Sequence, residues 1–202
     1  MPETAPEGAG DDAAWIAVPT ELSSDKLVWL VGDPERLLRV NPCWVFESWS
    51  RTPPDRFDLQ VRDTVHERTW TTGGRIETLD DGLRLHYEEG LKASTRFRVE
   101  TDDSGSRLWV IDDYGRLPSE ERAARLDEVD RSLPAWGHAL ERYLAGWHRW
   151  GRHRLWRWYM ERWWRRMTPL ARRISRLLIW ATVIEFAVFL LLVGVLVVER
   201  NT

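Results

Sequence analysis

The chain has 202 residues, a formal net charge of −3 and 43% hydrophobic residues, which suits one medium-sized domain with appendages. Its single cysteine, Cys43, excludes an internal disulfide and a thiolate metal cluster. The first twelve residues contain no apolar stretch, which excludes a secretory signal peptide within them and predicts a disordered leader over residues 1–12.

The charge is distributed very unevenly along the chain. Residues 1–146 carry 18 basic and 29 acidic side chains, whereas residues 147–176 carry ten arginines against the single Glu161. A basic segment beside an apolar run favours contact with anionic lipid headgroups over contact with nucleic acid. We therefore expect a bilayer that contains anionic lipids as a partner, and no nucleic acid.

The first elements are a short strand and two short helices. Residues 15–19 form a strand candidate, and Ser23 or Ser24 is placed to cap the first helix. Asp33 followed by Pro34 provides a cap and a first-turn proline for the second helix.

From residue 44 to about residue 116 the pattern is that of β-strands. Apolar residues recur with period two between turn signals, which predicts a six- or seven-stranded antiparallel meander. Gly73-Gly74 is one of the predicted turns. The runs cover residues 44–49, 57–61, 65–70, 75–79, 83–87, 93–99 and 108–114.

The chain then becomes helical, with a start signal at residues 118–121 and a kink or a new helix start at Pro134. An apolar stripe runs along one face of this predicted helix. Its members are Leu133, Trp136, Leu140, Tyr143, Leu144 and Trp147.

This order of elements, over about residues 13–150, resembles the helix-grip fold of the START-like superfamily. That superfamily is also called SRPBCC and includes polyketide cyclases and coenzyme Q-binding proteins. The resemblance implies an α+β fold in which an antiparallel sheet wraps around a long C-terminal helix. The residues that carry it are Asp33-Pro34-Glu35 leading into Trp44-Val45-Phe46-Glu47, then Gly82-Leu83-Arg84-Leu85-His86-Tyr87, and finally 133–140.

The resemblance also implies a deep cavity between the sheet and the long helix that holds a lipid, sterol, quinone or polyketide. Apolar walls with few polar groups suit such a ligand. The alternative is that the same aromatic residues fill a small core. The candidate ligand-binding residues are Trp44, Phe46, Phe57, Tyr87, Phe97, Trp109, Trp136, Leu140 and Tyr143.

Catalytic signals are weak in this sequence. His66, His86 and His138 occur outside any nucleophile or metal motif, so we assign no catalytic residue, no metal and no cofactor. Asp112 or Asp113, if buried, would suit an acid or base in a cyclase-type enzyme, which is the less favoured interpretation.

An amphipathic segment rich in Arg and Trp follows at residues 151–168. Helical spacing predicts one apolar stripe, which suits a helix lying in the membrane interface with its rings at headgroup depth. The alternative is that the stripe packs on the domain or on a partner protein. The predicted interface residues are Trp156, Tyr159, Met160, Trp163, Trp164, Arg165 and Arg166, and Met167 continues the stripe.

Residues 169–199 are predicted to form one transmembrane helix, followed by a short tail over residues 200–202. Its apolar run, 177–198, contains one ionisable residue, Glu185, which would be costly in the bilayer unless it meets a partner helix or is neutralised. The arginines crowd the N-terminal side of this run, which predicts a single-pass protein of the cell membrane with its domain in the cytoplasm.

The leading hypothesis is a membrane-anchored module that carries or senses a hydrophobic small molecule. The first alternative is a non-catalytic accessory subunit that meets a membrane partner through Glu185. A cyclase-type enzyme is the second alternative. It is less favoured because it needs a polar cluster inside the cavity, and the sequence does not locate one.

Overall fold

The protein is described here by a computed structural model. It describes residues 6, 12–65, 67–102, 105–116 and 126–200. The predicted leader, the helix start signal at 118–121 and the end of the predicted tail fall largely or wholly outside the described residues. Residues 1–165 form one compact unit and residues 166–202 a second.

In the part of the chain that the structure describes, the first unit contains seven strands and four α-helices, and the second contains one long helix. A short 3₁₀ turn lies between the last two helices in the chain. The elements are β1 (Ala13–Thr20), α1 (Ser24–Val31), α2 (Pro34–Leu38), β2 (Trp44–Thr52), β3 (Arg56–Asp63), β4 (Arg68–Leu79), β5 (Gly82–Tyr87), β6 (Ser94–Asp102), β7 (Gly105–Asp113), α3 (Leu126–Trp150), α4 (Arg154–Arg162), the 3₁₀ turn Trp164–Arg166 and α5 (Pro169–Arg200).

Both short helices begin where their caps predict. Ser23 is the N-cap residue of α1, although its side chain makes no capping hydrogen bond. Asp33 caps α2, because its carboxylate accepts a hydrogen bond from the backbone N–H of Arg36 at 3.3 Å, and Pro34 occupies the first turn.

The seven strands form one antiparallel sheet in the order β1-β7-β6-β5-β4-β3-β2. Six consecutive strands form the predicted meander, and β1 pairs with the last of them. One face of the sheet is lined by alternate residues such as Leu59, Leu85 and Val110, which are buried in the core. The predicted antiparallel meander is therefore confirmed.

The predicted turn at Gly73-Gly74 is wrong, because both glycines lie inside the twelve-residue strand β4. Gly74 pairs with Phe57 on one side and with Tyr87 on the other. A Cβ at Gly74 would lie 2.2 Å from the carbonyl oxygen of His86 and 2.4 Å from the Phe57 ring. The glycine therefore permits a close approach within the sheet and does not mark a chain reversal.

Helix α3 packs its predicted stripe against the inner face of the sheet, and every member of that stripe is buried. Pro134 lies inside this single helix, close to the start of its described side chains, and does not begin a new one. The indole N–H of Trp136 donates to the carbonyl oxygen of Leu37 at 3.1 Å, which connects α3 to the end of α2.

After the short connection at residues 151–153, aromatic side chains of α4 and of the 3₁₀ turn pack against α3. The ring of Trp156 lies 4.9 Å from that of Trp147, and the ring of Trp164 lies 5.1 Å from that of Tyr143, so contacts move back along α3 as α4 advances. Gly151 begins the connection, and a Cβ there would lie 2.3 Å from the carbonyl oxygen of Trp147.

The second unit contains α5. An 18-residue window within its segment Pro169–Leu196 has a mean hydropathy of 2.5, and the helix is long and apolar enough to cross a membrane by length and composition. Thr168 accepts a hydrogen bond from the backbone N–H of Ala171 at 3.2 Å, as expected of a cap. Glu185 lies on this helix with its side chain exposed.

Candidate functional site

The interior between the sheet and α3 contains eight of the nine predicted ligand-binding residues. Seven are buried and Phe46 is half-buried against them. The eight are Trp44, Phe46, Phe57, Tyr87, Phe97, Trp136, Leu140 and Tyr143.

Trp109 was wrongly assigned to this interior. Leu108 and Val110 on either side of it point into the core, and alternation along β7 therefore directs Trp109 to the opposite face of the sheet. There its indole N–H donates to the Glu100 carboxylate at 2.5 Å, and the Arg107 guanidinium lies 5.7 Å from the ring centre.

Trp136 lies at the centre of the interior aromatic residues. Its ring centre is 6.0 Å from that of Trp44 and 5.7 Å from that of Phe97, the second in an edge-to-face arrangement. Phe57 and Tyr87 make a similar edge contact at 5.9 Å. Such contacts stabilise aromatic pairs by about 1 kcal/mol beyond area burial. Five of the predicted lining residues are therefore in ring contact, as one set of three and one pair.

A polar cluster is buried beside these rings, at the end of the sheet where β6 begins and β7 ends. The Asp112 carboxylate is fully buried and accepts two hydrogen bonds, from the Thr95 hydroxyl at 2.5 Å and from the Lys92 ammonium at 2.5 Å. The Tyr87 hydroxyl donates in turn to the Thr95 oxygen at 3.1 Å. We call these four residues the interior polar cluster.

Lys92 is the only basic member of this cluster and one of two lysines in the chain, the other being Lys26. Its ammonium lies 5.2 Å from the Trp44 ring centre and 5.7 Å from that of Trp136, within range of a cation–π interaction. The side chain is 14% exposed, so a charged donor borders both the aromatic interior and the solvent.

The environment of Tyr87 favours its protonated form. Burial raises the pKa of the Tyr87 hydroxyl well above its usual range, and the negative charge of Asp112 raises it further. Tyr87 therefore remains a neutral hydrogen-bond donor over the whole physiological range.

Lys92 and Thr95 were missed from the sequence, whereas Asp112 was considered only as one of a pair. The alternation of side chains along a strand could have identified Thr95 and Asp112 as inward-facing residues. Thr95 shares a face with Phe97, and Asp112 shares a face with Val110, so both side chains face inward once the phase of each strand is known. Lys92 lies in a loop, where no periodicity applies.

The predicted membrane-interface stripe largely faces the domain, which corrects that prediction. Met160 is 9% exposed and belongs to the core, and Trp156, Tyr159 and Trp164 are half-buried against it. The aromatic rings of Tyr143 and Trp147 on α3 provide apolar partners within the same chain, which is the alternative that the sequence left open. Trp163 and Arg166 are exposed.

Arg165 is also engaged by the domain. Its guanidinium donates to the Asp33 carboxylate at 2.9 Å and forms an ion pair with Glu35. Burial acts to lower the pKa of Arg165, but the Glu35 hydrogen bond and the charges of Asp33 and Glu35 outweigh it, so the net shift is upward.

The outer face of α4 carries a different set of residues. Leu155, Trp158 and Arg162 are exposed at positions i, i+3 and i+7, which places them on one side of the helix. Trp163 extends this surface, with its ring centre 6.4 Å from that of Trp158. Arg154 and Arg157 are exposed beside it.

The remaining candidates are exposed or occupied in ordinary contacts. His86 contacts the Glu77 carboxylate at 2.8 Å, which lowers the pKa of Glu77, and His138 lies 3.8 Å from Glu141. His66 lies outside the described residues. Among the described residues, no group of three or more His, Cys, Asp or Glu side chains could hold a metal ion.

Two surface cavities lie away from the interior. One, of about 490 Å³, lies between the β1–β7 edge and α3, and its walls include Glu21, Arg107, Glu141 and His148. The other, of about 350 Å³, lies between β1 and the start of the described part of α3. Neither is lined by any of the nine predicted ligand-binding residues.

No family model and no curated protein matches this chain. Several solved structures are similar to this chain. The ZhuI aromatase/cyclase of a Streptomyces species is 17% identical with a TM-score of 0.51, covering 69% of this chain and 97% of its own. A Rhodobacter sphaeroides protein is 16% identical with a TM-score of 0.50, covering 69% and 95%. A Mycobacterium smegmatis protein is 13% identical with a TM-score of 0.50, covering 66% and 90%.

These likenesses define a class of fold. The seven-stranded antiparallel sheet wrapped around a long helix is a helix-grip fold, as the sequence predicted, and the aromatase/cyclase is similar to it in fold. Because the sequence identities are 17% or lower, these similarities show the fold and not a function.

Proposed function

We propose that this protein binds a hydrophobic small molecule of lipid, quinone or polyketide type between its sheet and α3, and that α5 anchors it in a membrane. The observation that carries the proposal is the Lys92–Asp112 pair, which places a charged donor against the Trp44 and Trp136 rings at the border of the largely apolar interior.

The arrangement suits a ligand with a long apolar body and one oxygen acceptor. Phe97, Trp136 and Leu140 would contact the body, and the Lys92 ammonium, which has three N–H groups, would donate to the oxygen while keeping its bond to Asp112. Since the rings of Trp44 and Trp136 are in contact, such a ligand must separate them, and we expect its exchange to be slow.

The anchor supplies proximity to a membrane-soluble ligand. A domain attached to the bilayer surface meets lipophilic molecules at a far higher effective concentration than a free one. The arginine excess before the apolar part of α5 supports a cytoplasmic domain at the cell membrane, because cytoplasmic flanks carry more Lys and Arg.

A non-catalytic accessory subunit is the second candidate, and Glu185 favours it. An exposed carboxyl on an apolar helix raises the free energy of inserting that helix into hydrocarbon. A hydrogen bond to a polar group on another helix lowers this cost. The Glu185→Leu variant should then lose a membrane-protein partner while its interior remains unchanged.

The deciding experiment is native mass spectrometry of the full chain in mild detergent, followed by organic extraction. We expect a stoichiometric hydrophobic molecule that is retained in Lys26→Met and lost or markedly reduced in Lys92→Met, with circular dichroism establishing that both variants fold. Folded wild-type protein that repeatedly contains no bound molecule, or a molecule equally retained in both variants, would overturn the proposal.

A further inference from the structure

The outer face of α4 is a second exposed surface whose composition is unusual for a soluble domain. The side chains of Leu155, Trp158 and Trp163 are 83%, 57% and 55% exposed. A globular protein rarely leaves two neighbouring tryptophans and a leucine in water without a use for them.

The charges around these side chains share one sign with a single exception. Arg154, Arg157 and Arg162 are exposed on α4, against Glu161 alone. Tryptophan and arginine together are the pair that partitions into a lipid interface, because indole rings prefer headgroup depth and guanidinium groups bind phosphate.

Contacts with the core give this surface a fixed orientation on the domain. Trp156, Met160 and Trp164 hold the inner side of α4 against the core. The opposite side is therefore presented outward as a rigid surface, and no folding of α4 is needed when it meets a partner. Preorganisation of this kind lowers the entropic cost of association.

From these observations we infer that the outer face of α4 binds the surface of a bilayer that contains anionic lipids. Leu155, Trp158 and Trp163 insert at headgroup depth, and Arg154, Arg157 and Arg162 contact lipid phosphates. Only five residues separate Trp163 from the start of α5 at Pro169, and such a connection spans about 20 Å at most. The inference rests on the proposed anchor and not on the interior ligand.

The test uses the full chain in lipid nanodiscs with spin labels at one position at a time. The labels replace Leu155 on the outer face, His138 on exposed α3, and Leu190 on α5. Collisions with oxygen report lipid exposure, and collisions with a nickel chelate report water exposure. The label at 190 tests the anchor independently of the surface.

With phosphatidylcholine and phosphatidylglycerol together, the label at 155 should become lipid-exposed while the label at 138 remains in water. Each arginine near an anionic surface contributes about fivefold to the ratio of docked to free domain. The Arg154→Gln, Arg157→Gln, Arg162→Gln variant should therefore lower that ratio on the order of 100-fold. The matched variant Arg51→Gln, Arg62→Gln, Arg75→Gln, with the same loss of charge on the sheet, should leave it unchanged.

Two results would overturn the inference while leaving the anchor intact. In one, the label at 190 is in lipid but the label at 155 remains as water-exposed as the label at 138 in both lipid compositions. In the other, the label at 155 is shielded only when a second protein is present. Water exposure at 190 would instead overturn the anchor itself.

Discussion

Arg165 and Asp33 lie 132 residues apart in the chain and are joined by a hydrogen bond of 2.9 Å from the Arg165 guanidinium to the Asp33 carboxylate. Asp33 simultaneously caps α2. The 3₁₀ turn after α4 is therefore fastened to the start of α2, four residues before α5 begins. This ion pair defines the end of the globular unit at its junction with the predicted anchor.

Breaking that ion pair should loosen α4. Arg165→Gln leaves Asp33 and Glu35 without this cation, and because the pair is about one-third exposed we expect a loss of stability of only about 1 kcal/mol. Hydrogen exchange of the full chain in detergent should show faster exchange over residues 154–164. Asp33→Asn preserves the cap and should produce a smaller acceleration, because Arg165 still pairs with Glu35, and the double variant should add little to Arg165→Gln. Additive effects would show that the two residues act independently.

The free energy of unfolding should depend strongly on the buried ion pair between Asp112 and Lys92. Asp112→Asn leaves the Lys92 ammonium without its counter-charge, which should cost about 3 kcal/mol or more, measured by thermal unfolding in mild detergent. The double variant Asp112→Asn, Lys92→Met removes both charges and should be more stable than Asp112→Asn alone. A double variant that is less stable would contradict a coupled ion pair.

The adjacent residues Gly73 and Gly74 allow a matched pair of substitutions, because the backbone and a buried ring crowd only Gly74. Gly74→Ala would place a Cβ against the His86 carbonyl oxygen and the Phe57 ring, so we expect a loss of about 3 kcal/mol or misfolding. Gly73→Ala meets only the carboxylate end of the flexible Glu88 side chain and should cost much less. Equal melting temperatures for the two variants would show that the sheet relaxes at both positions.

Tyr87 should make the protein sensitive to alkaline pH. In the unfolded chain its hydroxyl ionises near pH 10, whereas burial raises the folded-state pKa above that value. The stabilisation is therefore complete below about pH 10 and is lost as pH rises from there toward the folded-state pKa. Tyr87→Phe should reduce the slope of unfolding free energy above pH 10 by about 1.4 kcal/mol per pH unit.

Tyr159→Phe is the control for this measurement, because it removes a half-buried tyrosine on α4 and leaves the interior polar cluster intact. An unchanged alkaline slope in Tyr87→Phe would contradict the assignment to Tyr87.

The fold was predictable because its signals are local. Capping at Asp33, period-two strands and the α3 stripe each depend on residues a few positions apart, and the structure contains all three. The two glycines in β4 misled this prediction, because Gly-Gly is equally suited to a turn and to a close approach between neighbouring strands.

The site was only partly predictable. Aromatic residues of the interior could be named from the strand pattern, but Trp109 was placed on the wrong face because a continuous apolar run in β7 conceals its phase. The interior polar cluster joins residues 87, 92, 95 and 112 through hydrogen bonds across neighbouring strands and a loop. No local pattern in the sequence indicates which polar groups will meet.

By itself the sequence determined the composition of each segment of this protein: the apolar run of α5, the arginine-rich stretch before it and the amphipathic stripe of α4. Tertiary structure alone decided what that stripe contacts. An amphipathic helix minimises exposed apolar area equally well against lipid or against protein, and Trp147 and Tyr143 of α3 lie close enough to cover it. The stripe is therefore used within the domain, and Leu155 and Trp158 on the opposite face of α4 remain exposed.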